Sequence, residues 1–378
     1  MTALRRIGIG AAILLYAVAA WGNGFDRISR LSPGAARLVP GVFRAEADRT
    51  DATIALTRQQ AARARRLAEM AVRGDPTDAR GAGLLGAARR AGGDLRGAER
   101  AFRIAARFGW RDPLTQAYWY DEALARGDFD LAALRLDALL RSGSSTLSQE
   151  ALVAPIQQSR FGRDALARRL ALNPVWAERY LGPDADLERD PLLLRAEVVT
   201  AAGSLGCNRT APLTRILLDR GERAAAERVW RVNCSQAQPG GLLADRDFRA
   251  AARGEDAPFG WRRLRDADVD ASFAPLPGGG AELHLRNLGA VTKLVLTQEI
   301  DLPARRMAIK GRVTGDRGRV VAGFGCGAET EPPSRVDGDI GEAGQVLTAP
   351  QCGNVMLNLW LRPGSGEVIL ADLSLAPL

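Results

Sequence analysis

One histidine, four cysteines and a few carboxylate pairs are the residues of this 378-residue chain whose chemistry could build a reactive site. His284 alternates with Glu282 and Arg286, while Leu283 and Leu285 take the positions between them, a pattern that puts the histidine in a polar, solvent-facing row of a strand. A Ser-His-Asp relay needs that histidine, together with a serine on a sharp strand-to-helix elbow, and no serine stands in such a pattern. The expectation is therefore a protein that is not an enzyme, with no catalytic residue, cofactor or metal. Asp337 and Asp339 fall in the loop from Pro332 to Gly344, where carboxylates could hold calcium but nothing requires them to. Asn208-Arg209-Thr210 matches a glycosylation sequon, a pattern short enough to arise by chance.

The cysteines fall as Cys207 with Cys234 and Cys326 with Cys352, without the CxxC spacing of a zinc or redox site. They read as two structural disulfides formed in an oxidising space, the alternative being buried free thiols. The amino terminus agrees with export. Arg5 and Arg6 precede the apolar run Ile7 to Trp21, a charged n-region followed by a hydrophobic segment. Gly22 to Phe25 extend that run toward membrane-spanning length, whereas Ala17-Val18-Ala19 fits the small-x-small pattern of signal cleavage. Residues 1–25 are thus a signal anchor in the inner membrane, through residues 7–25, or a cleaved signal peptide. In either case the positive-inside rule places the bulk of the chain in the periplasm.

Composition restrains the choice of partner. The net charge of +8 would suit a polyanion. However, Arg63, Arg65, Arg66, Glu69 and Arg73, like Arg96, Glu99, Arg100 and Arg103, intersperse charges along helical faces, and only Lys293 and Lys310 are lysines. That pattern describes a solvated helix surface and not a nucleic-acid interface.

These groups must be carried by elements, and the elements repeat. Gly93-Asp94-Leu95-Arg96-Gly97-Ala98, followed by Phe102 and Ala105, returns 34 residues later as Gly127-Asp128-Phe129-Asp130-Leu131-Ala132, followed by Leu136 and Leu139. One period earlier stand Ala64, Ala68 and Ala71. Each unit reads as two antiparallel helices joined at a Gly-Asp turn, with small residues permitting close approach and large ones filling the groove. Asp75-Pro76, Asp112-Pro113, Asn173-Pro174 and Asp190-Pro191 are expected to start helices, the acid or amide capping and the proline sitting in the first turn. Gly221-Glu222-Arg223 with Ala226 and Trp230 repeats the signature of the second helix, and Pro212 to Leu218 would be its partner. Cys207 and Cys234 would then meet at one end of a hairpin. A single hairpin cannot bury its apolar face, so helices across residues 26–256 are expected to stack as a solenoid.

The period, the small residue opening the second helix, the large apolar residue four positions on and the closing proline resemble the tetratricopeptide repeat family. The first helix departs from that family's pattern at Ala82, Leu85 and Gly86. The resemblance implies an α-solenoid that binds protein partners.

From 257 to 378 the hydrophobic period changes to two. Alternating runs occupy Glu282 to Leu288, Lys293 to Leu302, Arg306 to Thr314, Val320 to Gly325, Val355 to Leu361 and Glu367 to Leu375. Around eight short strands are expected to form an antiparallel β-sandwich. Phe259 and Trp261, Gln298 within an apolar strand, the run Leu357 to Leu361 and the closing Gly366, Val368, Asp372, Leu373, Ser374 and Leu375 resemble jelly-roll carbohydrate-binding modules. Trp261, Phe273, Phe324 and Trp360 are the available aromatic platforms, and most read as core. The fold class expected is a multidomain α plus β chain. The function expected is a scaffold for envelope proteins, serving assembly or export of an envelope polysaccharide as the second resemblance implies. The alternative is a lectin-like protein binding carbohydrate directly through the sandwich.

Overall fold

The computed structural model of the chain describes residues 3–143, 149–182, 187–234, 242–254, 257–326, 331–341, 343–352 and 355–378. Two compact units emerge, one of residues 1–169 with 174–176 and one of residues 170–173 with 177–378. The chain is of the α plus β kind, with an apolar helix at its amino terminus, further helices after it and two antiparallel sheets at its carboxy end.

The first unit opens with α1 (Ala3–Ser29), two short 3-10 turns (Pro33–Leu38 and Gly41–Phe43) and then α2 (Ala45–Thr57) and α3 (Ala61–Gly74). It continues through α4 (Ala79–Ala91), α5 (Leu95–Arg107), α6 (Pro113–Arg126), α7 (Phe129–Ser142), α8 (Gln149–Gln157) and α9 (Arg160–Leu170). Helices α2 with α3, α4 with α5 and α6 with α7 form three successive hairpins. The 34-residue register lies on their second helices: Ala64, Ala68 and Ala71 on α3, Ala98 and Phe102 on α5, and Ala132 and Leu136 on α7 are all buried. Phe102 stacks on Tyr118 of α6 with ring centroids 4.2 Å apart. Gly86 of α4 accounts for the departure at that position, because a Cβ there would stand 2.9 Å from the Phe102 ring.

Helix starts differ from the expectation. Only Asp112 with Pro113 acts as foreseen: its carboxylate accepts the Thr115 amide at 2.9 Å and proline occupies the first turn. After Asp75-Pro76 the cap of α4 is Asp78, which accepts the Arg80 amide at 2.9 Å, and Asp75 instead terminates α3. Asp190 lies inside the first turn of α11 (Arg189–Ala202), whose cap residue is Glu188, and Asn173-Pro174 precedes α10 (Ala177–Leu181) by a turn. The Gly-Asp turns supply the missing caps. Asp94 accepts the Gly97 amide at 2.9 Å and Asp128 accepts the Leu131 amide at 3.1 Å, each after a glycine in the left-handed region, Gly93 at φ 84° and Gly127 at φ 70°.

Burial pushes the Asp112 carboxyl above the ordinary carboxylate range, against the pull of its hydrogen bonds from Thr115. The folded state then holds the proton more tightly than the unfolded chain. Its contribution to stability is full below the unfolded pKa and is lost as pH rises through the folded pKa. Asp112→Asn, which keeps a capping oxygen but carries no charge, is expected to compare least favourably with the native protein in acid and to gain on it as pH rises toward neutrality. Thermal unfolding of both proteins across that range measures the difference. A difference independent of pH would remove Asp112 as its source.

The second unit contains α10, α11, α12 (Cys207–Asp219), α13 (Arg223–Asn233) and the short α14 (Arg249–Ala252). Strands follow as β1 (Arg262–Arg263), β2 (Val269–Pro275), β3 (Ala281–Asn287), β4 (Lys293–Ile300), β5 (Arg306–Thr314), β6 (Val320–Gly325), β7 (Gln345–Thr348), β8 (Val355–Leu361) and β9 (Gly364–Pro377). A four-stranded sheet runs β1-β4-β8-β6 and a five-stranded sheet runs β2-β3-β9-β5-β7, every pair antiparallel. Leucine, valine and isoleucine from both sheets share one core, which also takes in Leu243 and Phe248 from the segment ahead of β1. Gln345 of β7 ties the sheets together, accepting the Ala322 amide at 3.0 Å and donating to its carbonyl at 2.6 Å. Of the two lysines, Lys293 is clamped by Asp266 at 2.9 Å and Asp268 at 3.1 Å, whereas Lys310 lies exposed on β5.

The helical hairpin α12 and α13 belongs to the same unit as the sandwich. Arg262 reaches Asp219 at 2.9 Å, Arg223 reaches Glu299 at 3.2 Å, and Trp230 meets Phe259 edge-on with centroids 6.4 Å apart. Ala226 and Trp230 of α13 are buried, like their counterparts in the first unit. Both disulfides are formed, Cys207–Cys234 with Cα atoms 5.0 Å apart and Cys326–Cys352 with Cα atoms 5.8 Å apart, which excludes the alternative of free thiols.

Candidate functional site

The residues singled out for chemistry are not brought together. His284 and Glu282 project from the outer face of the five-stranded sheet, where Glu367 of β9 comes within 3.3 Å of the imidazole Nδ1 and Glu282 within 3.9 Å of Nε2. Ser272 stands opposite His284 in the β2–β3 register. Nevertheless, Nε2 is buried without a hydrogen-bond partner, so the ring is not set on the serine hydroxyl as a general base would be. The row is a solvent-side ion ladder, extended by Arg286 on Glu367 and by Arg312 on Asp372. Thr210 of the sequon is buried and its hydroxyl donates to the Gly206 carbonyl at 3.0 Å, which withdraws from a modifying enzyme the group it must recognise. Asp337 is joined to Val346 through its backbone in an isolated bridge, and among the described residues no group of three or more His, Cys, Asp or Glu side chains is spaced to hold a metal. Trp360 is buried, Trp261 lies in the core and Phe273 and Phe324 pack against it, so none of the four offers an exposed aromatic platform.

Some surface arginines along the helices are partnered within their own helix, Arg65 with Glu69, Arg126 with Glu122 and Arg141 with Asp137, each four residues apart, whereas the exposed Arg66, Arg73, Arg96 and Arg100 make no ion pair among the described residues. Pairs of this kind contribute about 0.3–0.5 kcal/mol each.

The arrangement that stands out is at the foot of α1. One described helix is long and apolar enough to cross a membrane: its candidate span Gly8–Ser29 has mean hydropathy 1.4 over an 18-residue window, of which 6% is buried. Ile13, Leu14, Leu15, Tyr16 and Trp21 are exposed along it. The last turns behave differently. Gly22 is pressed against the Phe43 ring, where a Cβ would collide with it, and Phe25 packs with Val39 and Ala47. Asp26 is 7% exposed and its carboxylate accepts the amides of Glu46 at 2.9 Å and Ala47 at 2.8 Å. It therefore caps α2 from a distance of twenty residues in sequence, meeting amides that α2's own cap residue, Arg44, leaves without a side-chain acceptor. Helix α1 is thus spliced into the first hairpin.

Around this splice lies a cleft of about 770 Å³ lined by Asn23, Arg27, Arg30, Leu31, Val42 and residues of the first two hairpins. Its acids are already engaged. Glu46 holds Arg49 at 2.8 Å and Arg80 at 2.9 Å, and Arg49 lies 3.6 Å from Asp75. Behind them, Asp78 is partly buried, which opposes its charge, yet its hydrogen bonds from Arg80 and the charge of Arg49 hold it below the ordinary carboxylate range. Arg49 Nη1, 3.1 Å from Asp78, has no acceptor in hydrogen-bonding geometry, so that contact is charge against charge. Arg27 and Arg30 are exposed, and their guanidinium groups have no partner among the described residues.

Asp26→Ala is expected to destabilise the first hairpin by roughly 2 kcal/mol, since two amides lose a charged acceptor. Hydrogen exchange at Glu46 and Ala47 would rise while exchange in α6 and α7 stays unchanged. Unaltered protection at Glu46 would show that α2 starts without this cap.

A second cleft, of about 420 Å³, is lined by Arg223, Glu227, Phe259, Glu299 and Asp301 in the second unit. Burial pushes Glu299 above the usual carboxylate range, opposed by Arg223 across the ion pair. Arg223 and Glu299 neutralise one another there, which makes the contact a join between α13 and β4.

Sequence reading found the disulfide cysteines and the buried repeat residues, but not the foot of α1. Asp26, Arg27 and Arg30 follow an apolar run like any juxtamembrane polar residues, and the acceptor role of Asp26 depends on which amides the fold delivers to it. No protein-family model and no curated protein matches this chain.

Proposed function

We propose that this chain is an exported envelope protein, held in the inner membrane by residues 7–25 and carrying in the periplasm a tetratricopeptide-like scaffold for protein partners. The observation that carries this reading is α1, one continuous helix whose apolar length is unburied in the fold while its last turns are locked to the first hairpin. An unburied apolar helix of this length is satisfied by lipid. Two disulfides accord with a compartment that oxidises thiols. Support for the scaffold role comes from apolar side chains left exposed on the repeats, Leu95 and Ile104 of α5, Phe108 and Trp110 after it and Leu114 of α6, in a region whose hairpins are otherwise well packed. Service to envelope polysaccharide assembly or export rests on the jelly-roll resemblance alone, and the buried aromatics of the sandwich weigh against direct sugar readout.

Membrane fractionation of the native cells, followed by intact-mass measurement of the purified protein, tests the anchor. Retention through an alkaline wash with residues 1–25 present is the expected result. A chain that begins at Ala20 and stays soluble would refute it. For the scaffold, a photo-crosslinking residue at Leu95 is expected to capture discrete envelope proteins that the same residue at exposed Arg286 of the sandwich does not.

A further inference from the structure

We propose that the cleft at the foot of α1 binds the headgroup of a phosphate-bearing anionic lipid in the membrane that this helix enters, an inference that rests on the anchored reading above. Three observations carry it. First, cations and apolar groups line the same cleft: Arg27 and Arg30 beside Leu31 and Val42, with the Asn23 amide near them. Second, the two arginines are unpaired among the described residues, although Glu46, Asp75 and Asp78 all find arginine partners nearby. Third, Leu31 and Val42 are 89% and 83% exposed, an unfavourable state in water for large aliphatic side chains on either side of a 3-10 turn, and Ile28 and Leu38 are exposed with them.

Position explains all three. An α-helix rises about 1.5 Å per residue, so Arg27 stands roughly 9 Å beyond Trp21, the last residue of the apolar run. That is the depth of a bilayer's headgroup region, where tryptophan is favoured and arginine meets phosphate. A lipid phosphate would sit between the Arg27 and Arg30 guanidinium groups, whose planar donors suit its oxygens, and the glycerol and upper acyl carbons would lie on Leu31 and Val42. A soluble anion would use the arginines and leave the aliphatic pair in water, so the lipid is the occupant that accounts for both halves of the cleft.

The full chain purified in neutral detergent and titrated separately with phosphatidylglycerol and phosphatidylcholine, with bound lipid counted by native mass spectrometry, tests the assignment. Phosphatidylglycerol is expected to be retained at concentrations where phosphatidylcholine is not. Removing two cations near a charged headgroup, in Arg27→Gln with Arg30→Gln, should weaken that retention roughly 30-fold, at about fivefold for each. Leu31→Ser with Val42→Ser should weaken it as well, while the unpartnered Arg37 replaced by Gln should not. Equal retention of the two lipids, an unaffected double-arginine variant, or displacement of phosphatidylglycerol by inorganic phosphate at equal concentration would overturn the proposal. Because all these side chains are exposed, unchanged circular dichroism separates lost binding from lost folding. A cleaved amino terminus in cells would refute the anchor without touching this result, since the cleft residues lie beyond Ala19.

Discussion

Phe102→Ala should lower the stability of the first unit by about 3–5 kcal/mol, the range for removing a large aromatic side chain from a packed interior. Phe102 is 2% exposed, its ring lies against Tyr118 with 13° between the planes, and Gly86 yields its Cβ position to it. Ala98 and the partly buried Ala87 and Trp119 complete the cluster, none with enough reach to fill the space left behind. Domains of ordinary stability have about 5–15 kcal/mol in all, so roughly a fifth or more of the margin would vanish. Calorimetry of the full chain should show one transition moving down and the transition of the second unit unmoved. Phe102→Leu, which keeps most of the volume, should recover at least half of the loss. A loss below about 1 kcal/mol for the alanine variant would mean that the hairpins close over the gap and that the stacking is incidental.

Replacing Cys207 and Cys234 together by alanine should remove about 3.5 kcal/mol, the loop-entropy expectation for a bridge spanning 27 residues. The hairpin ends would not fly apart. Asn233 donates to the Val229 carbonyl at 2.8 Å and accepts the Leu205 amide at 2.9 Å, holding the same corner by hydrogen bonds. The loss should therefore appear as a lower denaturation midpoint with native hydrogen-exchange protection at Leu205 retained before unfolding. Loss of that protection in the folded state would instead assign the corner's geometry to the bridge. For the cysteine variant the first unit's transition serves as the internal reference.

What could be read from sequence followed from the strength of each local signal. The 34-residue register named buried residues because a helix-helix contact accepts alanine and rejects bulk, as Ala98 and Ala132 illustrate. Strands with strong alternation, β3 to β6, β8 and β9, were visible within a few residues of their ends. Strand β2, with Ser272 and Asp270 on one face and only Val269, Ala271 and Phe273 on the other, and the four-residue β7 carried too little contrast. Asp-Pro pairs are a poorer guide to the caps than Gly-Asp pairs in this chain, because a left-handed glycine followed by an acid satisfies helix amides equally well. The foot of α1 was hidden for another reason. Its cleft joins Asn23 to Arg80 across four helices, and no spacing rule spans that distance.

The scarcity of lysine has a practical side. Helices α1 to α14 carry no lysine at all, Lys293 is locked between Asp266 and Asp268, and Lys310 alone offers a free ε-amine on the described surface. Amine-directed reagents will report on the neighbourhood of β5 and stay silent along the repeats, so an empty result from such labelling there carries no information about contacts. Biotin coupled through side-chain amines would likewise tether the molecule by β5, between β9 and β7 of the five-stranded sheet, and leave the helix side chains unlabelled.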